Sequence, residues 1–323
     1  MTTIPGQVLR FENEVVTKMV AEIEAPIKEV STIRQILPHR SNLAIDDLNA
    51  EYWKYHILSK YNYDLDPSGE ALHQEKVEKE QIKTPVIWKD VRLTFNDYNR
   101  IKRSGIRPFS DRYREVGLYM AFAEEAVGVI GDSKMGITSF GDETNNVTNA
   151  TAEQNLTTTI LAQSTCITQI QELKANLGSP GGTNAQATAA LKRYPLIMLM
   201  NTAAYDKGMS VFSTLREEIS AIDVVNTQLA KFGAPGSEVV EVPNLFGSVA
   251  ENAGLREVTV NATAGTLLMA YSPEHALVLD SILQVDENEP NAFDGYKGRW
   301  QKRYVPVFRK QEAFLSGKAA VVA

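Results

Sequence analysis

Cysteine is nearly missing from this chain: 323 residues contain one, Cys166. A lone cysteine excludes an intrachain disulfide and fits a reducing compartment. The sequons at Asn146, Asn149, Asn155 and Asn261 then read as chance matches in Thr/Asn-rich sequence rather than as glycosylation acceptors. Histidine is scarce as well. His39, His56, His73 and His275 lie far apart, and none has metal-ligand spacing. No apolar run approaches the roughly 18–20 residues that span a bilayer. The N-terminus, MTTIPGQVLRFENEVV, has neither the basic start nor the apolar core of a secretory signal. No basic arm is present, and the net charge of −7 argues against a protein that condenses nucleic acid by charge, which needs clustered Lys and Arg.

Catalytic signatures are also lacking. There is no G-x-x-x-x-G-K-[ST], no G-x-G-x-x-G and no G-x-S-x-G. GSPGG at 178–182 follows a helical pattern instead of opening a helix after a strand, so it reads as a stop signal. Glu124 and Glu125 are neighbours on a helix and point about 100° apart, a poor geometry for sharing a proton. Cys166 lies mid-helix with no histidine nearby and reads as a packing residue. DENEPNAFDGYKG (286–298) reads as an acidic loop without the calcium-loop register. The sequence therefore yields no catalytic, cofactor-binding or metal-binding residue, and no cofactor is expected.

What is present is a globular composition, 43% apolar and 23% charged, long enough for one large domain or two intimately connected ones. The most organised stretch is GIRPFSDRYREVGLYMAFAEEAVGVIGDSKMGITSF (105–140). Pro108 ends what precedes it, Ser110 can cap a helix, and Asp111 suits the first turn. Apolar residues at Tyr113, Val116, Met120, Ala123, Val127 and Ile130 then draw one face of a long helix that Gly131-Asp132 stops. Leu118, Tyr119, Phe122 and Val129 widen the face, which predicts a helix covered on much of its circumference.

Upstream, Val15, Met19, Val20 and Ile23 share the face of a helix starting near Phe11, with a break expected at Pro26. Ile27 to Leu37 carry the chain to Pro38. This segment can brace a neighbouring chain or pack on its own core. EYWKYHILSKYNYDL and PVIWKDVRLTF read as two long β segments flanking a solvated middle, DPSGEALHQEKVEKEQIK. Beyond residue 140 comes a polar loop (141–155), then a helix marked by Leu156, Ile160, Ile167, Ile170, Leu173 and Leu177. A helical segment follows near 184–193. YPLIMLMN then reads as a buried strand with a turn at 206–208, followed by a helix over 211–232. Strands are expected at 238–245, 265–272, 276–285 and 298–314, the last irregular or at an edge around Pro306.

The order of strand, short helix, R-x-G-I-x-P (103–108), long helix, Gly131-Asp132 and G-I-x-S-F (136–140) resembles the shell proteins of tailed viruses with the Hong Kong 97-like fold, and their cellular relatives the encapsulins. The resemblance lies in element order along most of the chain. It implies an α+β fold. Residues 1–42 would be an N-terminal arm and helix, and 43–95 an extended loop lying over the adjacent subunit. Residues 96–142 and 243–323 would be a peripheral domain built around a long spine helix, with 143–242 an axial domain. The implied function is a major capsid protein, not an enzyme, that self-assembles through pentamers and hexamers into an icosahedral virus head. The alternatives are an encapsulin-like compartment enclosing a cargo enzyme and, from another class, an α/β enzyme. Expected partners are other copies of the chain, possible scaffold, portal or decoration proteins, and packaged double-stranded DNA without sequence-specific contacts. No membrane is involved. The expected location is the virion, after assembly in the host cytoplasm. No scaffold-length coiled coil precedes the first helix, so a separate scaffold, or none, is implied. Some relatives join subunits through a Lys–Asn isopeptide bond. Lys60, Lys76, Lys79 and Lys83 lie in or near the loop, but no partner asparagine and carboxylate can be matched to them.

Overall fold

The computed structural model describes residues 13–55, 77–104, 110–137, 139–140, 171, 177, 190–209, 211–212, 219–252, 255–259, 265–291, 295–310 and 313–318. The first half holds helices α1 (Asn13–Val30) and α2 (Thr32–Ile36), and strands β1 (His39–Leu43), β2 (Asn49–Tyr55), β3 (Val77–Lys83) and β4 (Val86–Leu93). Helices α3 (Phe95–Ser104) and α4 (Ser110–Glu125) follow, the latter running into a π-turn at Ala126–Ile130. The second half holds β5 (Leu196–Met200), α5 (Thr202–Gly208), β6 (Val211–Phe212), β7 (Ile219–Ser220), α6 (Ala221–Phe232) and β8 (Glu238–Glu241). It closes with β9 (Ser248–Asn252), β10 (Leu255–Thr259), β11 (Gly265–Ala270), β12 (Ala276–Ser281), β13 (Gln284–Asn291), β14 (Gly295–Phe308) and β15 (Phe314–Lys318). Most of the expected helices across 156–177 and 184–193, and all of the 56–76 segment and the 141–155 loop, lie outside the described residues.

Contacts divide the chain into two units. The first draws on 1–48, 84–125 and 279–305. Its five-stranded sheet contains β1, β12, β14, β13 and β4. Trp300 of β14 pairs with Val285 of β13 on one side and Lys89 of β4 on the other, so β14 is an inner strand there. Tyr113, Val116 and Met120 of α4 are buried, as the spacing expects, and so is Ala121, while the expected Ala123 is half-buried. Tyr113 meets Trp300 edge-on with ring centroids 6.4 Å apart. Helix α1 packs on α4 and buries Met19, Ile23 and Ile27, so the described N-terminal helix lies on its own chain's core. The close approach depends on Gly117, where a Cβ would collide with the Ile23 carbonyl oxygen and press on the Pro26 ring. Pro26 does not break α1; it lies inside the helix. Its ring fills the α1–α4 crossing, which offsets the helix hydrogen bond that proline cannot donate.

The second unit draws on 49–83, 126–278 and 306–323. Its four-stranded sheet has the order β15-β11-β5-β8, antiparallel except for the β5–β8 pair. Strands β5 and β11 are buried throughout, as continuous apolar runs demand. Asn201 Oδ1 accepts the amides of Ala204 and Gly265, each at 3.0 Å, tying the start of α5 to β11. Phe140, Phe308 and Phe314 form a ring cluster with centroids 5.0–5.8 Å apart.

Three expectations fail locally. The turn at 206–208 is the end of α5, a helix that Asn201 caps. Helix α6 starts at Ala221 and not at 211, because Ser220 and Asp223 form a reciprocal capping box. The acidic 286–291 stretch is strand, not loop: β14 holds Asp286 opposite Arg299 and Asn288 opposite Lys297 in register, which overrides its weak strand propensity.

Candidate functional site: a buried charge cluster and a half-free ribbon

Helix α4 brings Glu124 into the core of the first unit, where Arg34 of α2 grips it with Nε at 2.9 Å and Nη2 at 2.8 Å. Lys302 of β14 donates to the same carboxylate at 3.2 Å and lies 2.9 Å from Asp280 of β12. Asp280 also accepts from Ser41 at 2.6 Å, with His39 Nδ1 at 3.4 Å and Arg34 at 3.6 Å. Burial alone would push the Asp280 carboxyl up. Hydrogen bonds from His39, Lys302 and Ser41, with the Lys302 charge, reverse this and hold it well below the usual carboxylate range. Burial likewise opposes the charge on Arg34, but the hydrogen bond and charge of Glu124 outweigh it and raise the guanidinium. Two carboxylates thus face two permanent cations in a site where none could sit uncompensated.

Glu125, next along α4, does something different. Its carboxylate accepts the Thr32 amide at 3.1 Å, the Ile33 amide at 3.4 Å and the Thr32 hydroxyl. Those amides are the orphan donors at the start of α2, which its own Ser31 does not cap. Burial raises the Glu125 carboxyl, partly offset by these donors, while the neighbouring Glu124 charge adds to the rise. The cluster and this remote cap together staple residues 31–43 to α4, β12 and β14. Every charge is matched, and among the described residues no group of three or more His, Cys, Asp or Glu could hold a metal ion.

The second feature is the ribbon β2–β3, a separate two-stranded sheet with Trp53 opposite Lys79 and Tyr52 opposite Glu80. The partner of β2 comes from the charged stretch expected to be solvated, and β4 pairs with β14 instead. Strand β3 forms despite its composition because its charges pair across the ribbon: Lys79 with Glu51 at 2.5 Å, Glu80 with Lys54 at 2.6 Å, and the Tyr52 hydroxyl donating to Glu80 at 2.6 Å. The faces differ. Ala50, Tyr52 and Ile82 are buried, whereas Asn49, Glu51, Trp53, Lys79, Gln81 and Lys83 are exposed.

The sequence-named residues scatter. His39 joins the cluster. His275 is buried, donates Nδ1–H to the Ala270 carbonyl at 2.6 Å and meets Tyr194 edge-on at 4.4 Å. His56, His73, Cys166, Lys60 and Lys76 lie outside the described residues, and Lys79 pairs with Glu51. Of the residues expected to widen the covered face, Val129 is buried, whereas Leu118 is 36% exposed, Tyr119 44% and Phe122 60% in the single chain. In sequence Glu124 and Glu125 are only adjacent acids, and no local signal names partners some ninety residues or more away, from Arg34 and Thr32 to Lys302.

No protein-family model matches the chain, and no curated protein matches it by sequence. Solved structures do match in fold. A virus-like particle from Pyrococcus furiosus superposes with a TM-score of 0.55 at 11% identity, over 93% of this chain and 98% of that one. The capsid of Myoviridae phage XM1 gives 0.56 at 11% identity, over 90% of this chain and 92% of that one. The capsid of a native GTA particle gives 0.54 at 12% identity, over 99% and 96%. The mixed helix and strand architecture is therefore the Hong Kong 97-like capsid fold, matched along nearly the whole chain.

Proposed function

We propose that this chain is the major capsid protein of a tailed-type virus. It self-associates through pentamers and hexamers into an icosahedral head around double-stranded DNA and resides in the virion. The observation that carries the reading is the near end-to-end fold match to capsid subunits, 99% of this chain against 96% of one of them. Within it, 1–42 serves as N-terminal arm and helix, 43–95 as the extended loop, 96–142 and 243–323 as the peripheral domain with α4 as spine, and 143–242 as the axial domain. The chain is a structural protein and not an enzyme. Its formal charge of −7 supports DNA that is pushed in by a motor and not drawn in by the charge of the subunit. Scaffold, portal or decoration proteins would be its other partners.

A cellular compartment shell is the second reading, favoured by the match to the Pyrococcus furiosus particle across 98% of that chain. Negative-stain microscopy and analytical ultracentrifugation of the purified chain test the shell reading itself. Closed particles or capsomer rings are expected; a monomer under all conditions, including with co-expressed neighbouring genes, overturns it. Nuclease-protected DNA in native particles then supports the viral reading, and an enclosed protein supports the compartment.

A further inference from the structure

We propose that Arg303 of β14 anchors a binding site for a carboxylate carried by an acidic peptide segment of a separate protein. The site lies within the first unit and does not depend on the shell reading. Arg303 is 7% exposed. Its Nε donates to the Ile45 carbonyl, and its Nη1 donates to the Thr84 carbonyl and, at 3.3 Å, to the Thr84 hydroxyl. All three acceptors are neutral. Among the described residues no carboxylate pairs with this guanidinium. Asp46 and Asp47 follow Ile45 in the chain without forming an ion pair with it, and Asp47 gives its carboxylate to the Ala44 amide at 2.7 Å.

A second arginine on the same strand shows what is missing. Residues 299, 301 and 303 of β14 share one face of the sheet. Arg299 there is compensated, with Nε 2.8 Å and Nη2 3.4 Å from Asp90, and its guanidinium lies 4.4 Å from the centroid of the Trp88 ring. Arg303 is the more buried of the two and has no counter-charge. Burying a cation is costly, and neutral oxygens offset only part of that cost. Its Nη2 has no acceptor among the described residues, and it does not belong to the enclosed polar atoms left without a partner. This nitrogen therefore reaches the surface, with two N–H bonds open to a ligand.

The rim says what carries the anion. Ser281 Oγ accepts the Arg303 amide at 2.8 Å, and the next residue, Ile282, is 68% exposed. Leu48, whose carbonyl accepts the Thr84 amide at 3.0 Å, is 72% exposed. These are the two most exposed large apolar side chains among the described residues, and both adjoin partners of Arg303. One unmatched guanidinium suits the single charge of a carboxylate better than a phosphate dianion, which calls for more than one cation. Two open apolar side chains beside it suit an acid flanked by apolar residues.

The test titrates the full chain by isothermal calorimetry with the end-blocked pentapeptide Ser-Ile-Glu-Val-Ser and with its glutamine counterpart. The glutamate peptide should bind with a Kd lower by about tenfold or more, unmoved by inorganic phosphate at constant ionic strength. Arg303→Gln should abolish the preference. Should that variant not fold, Ile282→Glu serves in its place. It puts a carboxylate beside the guanidinium, should keep the melting temperature, and should block the peptide. Equal Kd values, no binding of either peptide, displacement by phosphate, or full binding to Ile282→Glu overturns the site. Free subunits and assembled particles should bind alike. Loss of binding in particles would show another copy of the chain in the site and would overturn the separate partner. Failure to form particles overturns the shell reading alone.

Discussion

The cluster around Glu124 and the ribbon β2–β3 are built from the same kinds of charged side chain and use them in opposite ways. In the cluster Arg34, Lys302, Glu124 and Asp280 come from α2, β14, α4 and β12 and are almost wholly out of water. In the ribbon Glu51, Lys79, Lys54 and Glu80 come from two adjacent strands and remain partly in water. Buried pairs are held by mutual need, since removing one partner strands the other in a low dielectric. Exposed pairs hold only a local register, because water can replace either partner. The first arrangement makes a subunit. The second leaves a surface that can be surrendered to another molecule.

That contrast can be broken by substitution. The largest effect is expected at the core face beside the cluster. Met120→Asp buries an unpaired carboxylate where Met120 is fully enclosed, a burial worth several kcal/mol against a total stability of about 5–15 kcal/mol. No soluble folded chain should be recovered, and native-like circular dichroism with an unchanged melting temperature would refute the assignment of this face. Arg34→Ala comes next. It leaves Glu124 with Lys302 alone and should destabilise by about 3–5 kcal/mol in urea unfolding. A loss below about 1 kcal/mol would place the cluster in the same class as the ribbon. Gly117→Ala follows, with an overpacking loss of about 1–3 kcal/mol that outweighs the better helix propensity of alanine. A more stable alanine variant would mean that α1 is not pressed on α4.

A pH measurement sharpens the comparison from another buried group. Burial lowers the His275 pKa from its ordinary 6.5, so the fold favours the neutral ring. The stabilising effect of that preference is complete above about pH 6.5 and is lost as pH falls through that value toward the lower folded pKa. The Ala270 carbonyl and the neighbouring Glu274 charge favour the imidazolium, and Lys310 opposes it. The melting temperature should drop between pH 7 and pH 5, and His275→Asn, which keeps a donor for Ala270, should drop less. Equal drops would assign the acid sensitivity to other groups. The smallest effect is expected in the ribbon. Glu51→Ala with Lys79→Ala should leave subunit melting unchanged, and a clear loss would show that this pair supports its own chain.

The same contrast explains what could be read from the sequence. The buried face of α4 was legible because helical spacing is a local property, and so was β5, whose apolar run has no other home. Pro26 misled, since a break is the local expectation and the α1–α4 crossing that accommodates it involves Gly117, far along the chain. Strand β3 was read as solvated because its charges find their partners only across the ribbon. Ser220 and Asp223 did carry a readable start signal for α6, hidden by an apolar pattern that ran through it. For the candidate site, His39 was visible only as an isolated histidine, and Asp280 and Lys302 carried no signal at all. Leu118, Tyr119 and Phe122 were read as covered, and in the single chain they are not.

The staple on residues 31–43 also imposes an order of events on the ribosome. Ser41 is 239 residues from Asp280, and Arg303, which donates to the Ile45 carbonyl, is 258 residues from it. At about 5–20 residues per second, synthesis of that interval takes roughly 13–50 s. Throughout it Ser41 and the Ile45 carbonyl are without their final partners, while Arg34 has Glu124 and still lacks Asp280. Residues 39–45 are therefore made long before the strands that fix them. A nascent chain stalled before Asp280 should leave residues 39–45 open to protease, and completion of β12 and β14 should be the step that protects them.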